Sequence, residues 1–103
     1  MTAPTEGGTG PDDRRGRDVV DDVRDAVLAV PGVVDLHGGA FGEVATYLPG
    51  RRVHGIRLRP DHAEVRVTLA VGSSVRDTAH AVRLAVAPWT GDLPVHVAVE
   101  DVR

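Results

Sequence analysis

Apolar residues recur along this chain with two different periods, and each period predicts an element. Val19, Val20, Val23, Ala26, Val27 and Val30 fall at helical spacing, with Asp21, Asp22, Arg24 and Asp25 largely on the other side. Asp18 is the expected N-cap, and Pro31-Gly32 the expected stop. Residues 33–36 read as a short Val-rich strand ended by His37-Gly38-Gly39. Residues 43–48 predict a helical turn before Pro49-Gly50. Strand character returns at residues 54–59, where Ile56 and Leu58 face one way and Arg57 and Arg59 the other. After a Pro60-Asp61 turn comes the strongest strand signal. Ala63, Val65, Val67, Leu69 and Val71 alternate with Glu64, Arg66, Thr68 and Ala70, a period of two that fits a half-buried strand. A second helix opens at Ser74, whose spacing to Asp77 resembles a capping box. It buries Val75, Ala79, Val82 and Val86 and ends through Pro88 and Gly91. Val95, Val97 and Val99 then alternate with His96, Ala98 and Glu100 in a closing strand.

This order predicts an α+β fold: a two-layer sandwich, with two helices packed on one face of a three- to four-stranded mixed sheet. Residues 1–17 show no periodicity and are expected to form a disordered N-terminal tail, leaving 18–103 as the domain. A chain of 103 residues buries only about 60–65% of its unfolded surface, so its core is thin and self-association would help to cover it. The hydrophobic fraction, 42%, suits a globular protein, but aromatic residues are only Phe41, Tyr47 and Trp89.

Composition removes several functions. Cysteine is absent, which excludes disulfides, thiolate metal sites and Cys nucleophiles. The formal net charge of −3 disfavours a dedicated nucleic-acid binder. The N-terminal stretch has no signal-peptide core and no apolar run reaches the ~20 residues that cross a bilayer, so a cytoplasmic location without direct membrane insertion is expected.

Candidate chemistry is sparse. The loop Gly38-Gly39-Ala40-Phe41-Gly42 follows a strand as phosphate loops do, yet it lacks the Lys-Ser/Thr pair and dinucleotide spacing. Gly32, Gly38, Gly39 and Gly42 are therefore read as structural glycines, hinges where φ turns positive or backbones approach. His37, His54, His62, His80 and His96 form no helical His-x-x-x-His pair, and no carboxylate lies beside a nucleophile. No catalytic residue, cofactor or metal is expected, and the chain is read as not an enzyme. What remains is the outward sheet face, where Arg57, Arg59, Arg66, His96 and Glu100 could form a partner surface. The alternative is a small nucleic-acid-binding module using that Arg-bearing face together with Arg51 and Arg52, for which stacking aromatics would be wanted and only Tyr47 is near.

Three segments carry a resemblance. Val30-Pro31-Gly32-Val33 through Leu36 to Gly38-Gly39-Ala40-Phe41-Gly42, the alternating strand Ala63 to Val71 with its helix ending at Trp89-Thr90-Gly91, and Val95 to Val102 together resemble the alkaline shock protein family, also called the envelope stress response family. The likeness runs from about Val19 to Val102 and is to a small, actinobacterial-type member; better-known members are Lys- and Glu-rich with longer terminal extensions, whereas this chain is compact and lysine-free. The resemblance implies a non-enzymatic, self-associating cytoplasmic protein. It also implies recruitment to the inner membrane face by a separate membrane-anchored partner.

Overall fold

A computed structural model describes residues 17–103. The expected tail therefore lies outside the described residues except for Arg17, whose guanidinium bonds Asp22 and Asp25, both at 3.0 Å. Helix α1 (Val19–Leu28) begins at a reciprocal cap: Asp18 accepts from the Val20 N–H, and Asp21 accepts from the Asp18 N–H at 2.6 Å. Val20, Val23 and Val27 are fully buried beneath it. The chain then forms β1 (Val33–Leu36), the hairpin β2 (Ala45–Leu48) and β3 (Arg51–His54), β4 (Ile56–Leu58) and β5 (Ala63–Leu69). Helix α2 (Val75–Thr90) and the closing strand β6 (Val95–Val102) complete it.

The centre is β5. On one edge it carries β6 in parallel along its whole length; on the other, β4 and β1 lie end to end, both antiparallel. This is a four-stranded mixed sheet with both helices on one face, as the alternation of β5 predicts. Ala63, Val65, Val67 and Leu69 point into the core and are at most 1% exposed. They meet Val20, Val23 and Val27 of α1 and Val82 and Val86 of α2, with Ile56 from β4.

Where β4 ends and β1 begins, two backbones converge on Arg66. Its N–H donates to the Gly55 carbonyl at 2.8 Å, and its own carbonyl accepts from the His37 N–H at 2.8 Å. Gly55 has φ +81, and a Cβ there would stand 2.9 Å from the Arg66 carbonyl oxygen and 3.0 Å from the His37 nitrogen. Only glycine fits this crossing.

Four local expectations are corrected. Residues 43–48 are not a helical turn: Ala45–Leu48 is β2, paired antiparallel with β3 across the two-residue turn Pro49-Gly50. Its Thr and Tyr favour strand, and a Pro-Gly pair between two short runs is a hairpin signal. The single strand expected over 54–59 is two strands, β3 and β4, separated at Gly55. Pro88 sits inside α2 and does not help to end it, although the end at Gly91, with Trp89 in the last turn, is the expected one. The helix runs on to Thr90 and stops at Gly91, whose N–H bonds the Ala87 carbonyl. Proline costs one ladder bond there and is tolerated within a turn of the end. Of the expected Ser74–Asp77 capping box, the Ser half is present: Ser74 Oγ accepts the Asp77 N–H at 3.1 Å.

Candidate interaction surface

The outer face of the sheet gathers the charged residues that alternate with the core valines. On β5 these are Glu64 and Arg66; β4 adds Arg57, and β6 adds His96 and Glu100. Most of them hold one another. The Arg66 guanidinium pairs with the Glu100 carboxylate across β5 and β6, one diagonal step from its register partner Ala98. Arg57 reaches past the sheet and donates to the Glu43 carbonyl. Arg59, beyond the end of β4, contributes its backbone N–H to the His62 carbonyl at 2.9 Å. The five residues expected as a partner surface thus divide: Arg66, Glu100 and His96 cluster over β5 and β6, while Arg57 and Arg59 are drawn to the loops.

His62 extends this cluster, and sequence reasoning passed it over as a turn residue. Its Nδ1 lies 2.8 Å from Asp61 and its Nε2 3.0 Å from Glu64, while its ring meets that of His96 edge-on at a centroid separation of 5.2 Å. The two carboxylates, Glu64 foremost and then Asp61, raise the imidazole pKa above its usual 6.5, and the same contact lowers that of Glu64. Only the return of the chain in β6 brings His96 opposite Glu64. His62, Glu64, Arg66 and His96, together with Arg83 of α2, line an open groove of about 430 Å³ along β6. Among the described residues no three His, Asp or Glu side chains converge as metal ligands would.

The glycine loop is a second feature. The Gly39 N–H bonds His37 Nδ1 at 2.9 Å, and the Val44 N–H bonds the Gly38 carbonyl at 2.9 Å. Glu43 turns back beneath the loop and accepts the Phe41 N–H at 3.0 Å. Donation from its own N–H and that of Phe41 holds the Glu43 carboxyl below the usual range. A Cβ on Gly39, at φ +87, would run into the Glu43 carboxylate. Gly32 and Gly42 also take positive φ, as expected of hinges; Gly38 does not, and its constraint is instead the ring of His54, 3.1 Å from where a Cβ would stand.

This bonded loop presents Phe41 to solvent at 95% exposure, with Tyr47 on the neighbouring hairpin 67% exposed. With Trp89 41% exposed, all three aromatic residues in the chain thus lie outside the core. The signal in the sequence was a lone aromatic among glycines, and composition gave no reason to place it outward.

Arg51 and Arg52, weighed for nucleic acid, lie on β3. Arg51 grips Asp21 of α1 with both guanidinium nitrogens at 2.7 Å, and this drives the Asp21 pKa down to about 2. The Arg51–Asp21 pair ties the hairpin to the helix.

No family model matches the sequence, and no curated protein matches it. Solved structures do share its fold. A double variant of the MamM CTD has a TM-score of 0.52 at 17% identity, over 81% of this chain and 79% of that one. A MamM-CTD with one histidine replaced by alanine gives 0.51 at 18% identity, over 81% and 92%. The copper form of the MamM CTD gives 0.50 at 19%, over 81% and 72%. Identities this low make the likeness one of fold.

Proposed function

We propose that this chain is a non-enzymatic interaction module that self-associates and docks to a protein partner. The observation that carries the reading is Phe41, a large apolar side chain held almost wholly in water by a loop whose backbone is hydrogen-bonded at Gly39, Phe41 and Val44. Ordered, exposed aromatics cost solubility and are typical anchors of interfaces. Two further features support it. The charged groups of the outer face are satisfied by each other and not aimed at one reacting point. The fold is also shared with the MamM CTD.

The resemblance of the glycine loop, β5 and β6 to the alkaline shock protein family supplies the finer part of the proposal. In that reading the partner is membrane-anchored and the module works at the cytoplasmic face in the response to envelope stress. No described helix is long and apolar enough to cross a membrane, so attachment would come through that partner.

Light scattering over a concentration series, together with pull-down from membrane fractions, tests both halves. The mass should rise with concentration, and Phe41→Ser should weaken capture of the membrane partner at least tenfold without lowering the melting temperature. A strictly monomeric chain that recovers no membrane protein would overturn the reading.

A further inference from the structure

Among the described residues, β6 is paired along one edge only, with β5. In a parallel pair, the N–H and C=O of a strand face its neighbour at every second residue. Ala63 stands opposite Val95 and donates to the Pro94 carbonyl, so Pro94 and His96 turn their backbone groups toward β5. Val95, Val97 and Val99 turn theirs away. Arg83 of α2 agrees with this direction, since its Nε donates to the Val95 carbonyl at 3.0 Å and covers that one outward acceptor. Past Val99 the register slips by one residue, Thr68 facing Asp101, and the alternation reverses. The open ladder is therefore short and centred on Ala98.

We infer that a second copy of this chain occupies that edge, β6 pairing antiparallel with β6 about a two-fold axis at Ala98; this rests on the self-association proposed above. Three arguments select the arrangement. Val97 of each copy exchanges both backbone bonds with Val99 of the other, using the outward groups and no others. A register centred on Val97 would instead need the Val95 carbonyl, which Arg83 already holds. The Ala98 register also sets His96 opposite Glu100 of the second copy, twice by symmetry. Arg66 bonds Glu100 through one carboxylate oxygen, Oε2. On the helix side, half-buried Val97 and Val99 meet their counterparts and extend the apolar layer across the axis. An uncovered edge of this kind is a template for one more strand, and a two-fold axis makes the contact self-complementary.

The test uses the full chain. The native sequence has no cysteine, so Ala98→Cys introduces a single thiol at the axis. Residues facing each other there form a non-hydrogen-bonded pair with Cα atoms ~4.5 Å apart, within disulfide reach. Mild oxidation should convert Ala98→Cys to a covalent dimer, while Tyr47→Cys, on the hairpin, stays unlinked. In sedimentation velocity, Val97→Pro removes an outward N–H without touching the β5 ladder and should weaken the dimer ~30-fold or more. His96→Arg should tighten it ~2- to 10-fold through the two pairs with Glu100. If the native chain dimerises but Ala98→Cys does not link and Val97→Pro dimerises unchanged, another surface joins the copies; the inference falls and the self-association stands. If the native chain is monomeric at every concentration, both fall. A monomer whose capture of another protein depends on Val97 would give the edge to a different strand and also overturn the pairing.

Discussion

The two faces of β5 are made of alternate residues of the same seven-residue strand, yet they are held by different physics. Toward the helices, Ala63, Val65, Val67 and Leu69 are buried by shape and hydrophobicity alone. Outward, Glu64 and Arg66 are fixed by partners from four other segments: His62, Glu100 and the Gly55 and His37 backbones. The first kind of order is general and tolerant of exchange among apolar residues. The second is specific, depends on register, and is where this domain keeps its chemistry.

The difference is sharpest in the cost of truncation. Leu69→Ala, on the core face, should lower stability by ~2–5 kcal/mol, because a nearly sealed site leaves a cavity when methyl groups are removed. Chemical denaturation read by circular dichroism would measure it. A loss below ~1 kcal/mol would mean that the core collapses readily and that its packing is looser than the burial of β5 implies. Next comes Gly55→Ala, expected to cost ~2–3 kcal/mol although it adds only a methyl group. Its φ of +81 is unfavourable for alanine, and the new Cβ meets two backbones and the Leu36 Cβ, none of them the movable end of a side chain. Gly50→Ala, at φ +75 in the hairpin turn with open space around it, separates the two causes. It should show the conformational cost alone, about 1 kcal/mol.

Thr68 breaks the simple contrast, since it belongs to the outward set by parity but is fully buried, and its Oγ1 has no hydrogen-bond partner among the described residues. Both neighbouring strands shift register beside it. Replacing an unsatisfied buried hydroxyl by a methyl group of similar shape removes a desolvation cost. Thr68→Val should therefore be neutral or stabilise by up to ~1 kcal/mol, seen as an unchanged or raised midpoint of denaturation. A loss of more than ~1 kcal/mol would show that the hydroxyl is bonded in solution.

These contrasts explain what could be read from the sequence. The fold class, both helices and the central strand were legible, because Val20, Val23, Val27 and the β5 alternation declare their periods within one segment. Asp18 as a cap was legible for the same reason. The hairpin was missed because residues 43–48 are too short for a period to show, and because its Thr46 is fixed by a distant partner, the Ile56 carbonyl at 2.6 Å. Gly55 looked like one more residue of a strand, since nothing local reveals that β1 and β4 meet there. The surface cluster was legible only in part. Arg66, His96 and Glu100 could be assigned to one face by alternation, but the role of His62 depends on the parallel return of β6 beside Glu64.

The smallest effect bears on that last pairing and is one of pH. With the His62 pKa raised, its contribution to stability is fully present below the ordinary value of 6.5 and is lost as pH rises through its folded value. With the Glu64 pKa lowered, its contribution is present above the ordinary 4.5 and is lost as pH falls through its folded value. The pair is therefore worth most between about pH 4.5 and 6.5, and its contribution declines on both sides. Both groups reach solvent, so the amplitude is small and is best seen by difference. The stability of the native chain minus that of His62→Gln should be larger at pH 5.5 than at pH 8.5, while Leu69→Ala shifts stability about equally at both. An NMR titration of His62 should place its midpoint above 6.5. A midpoint at or below that value, or a His62→Gln difference independent of pH, would show that the outer face is held by Arg66 and Glu100 without the histidine.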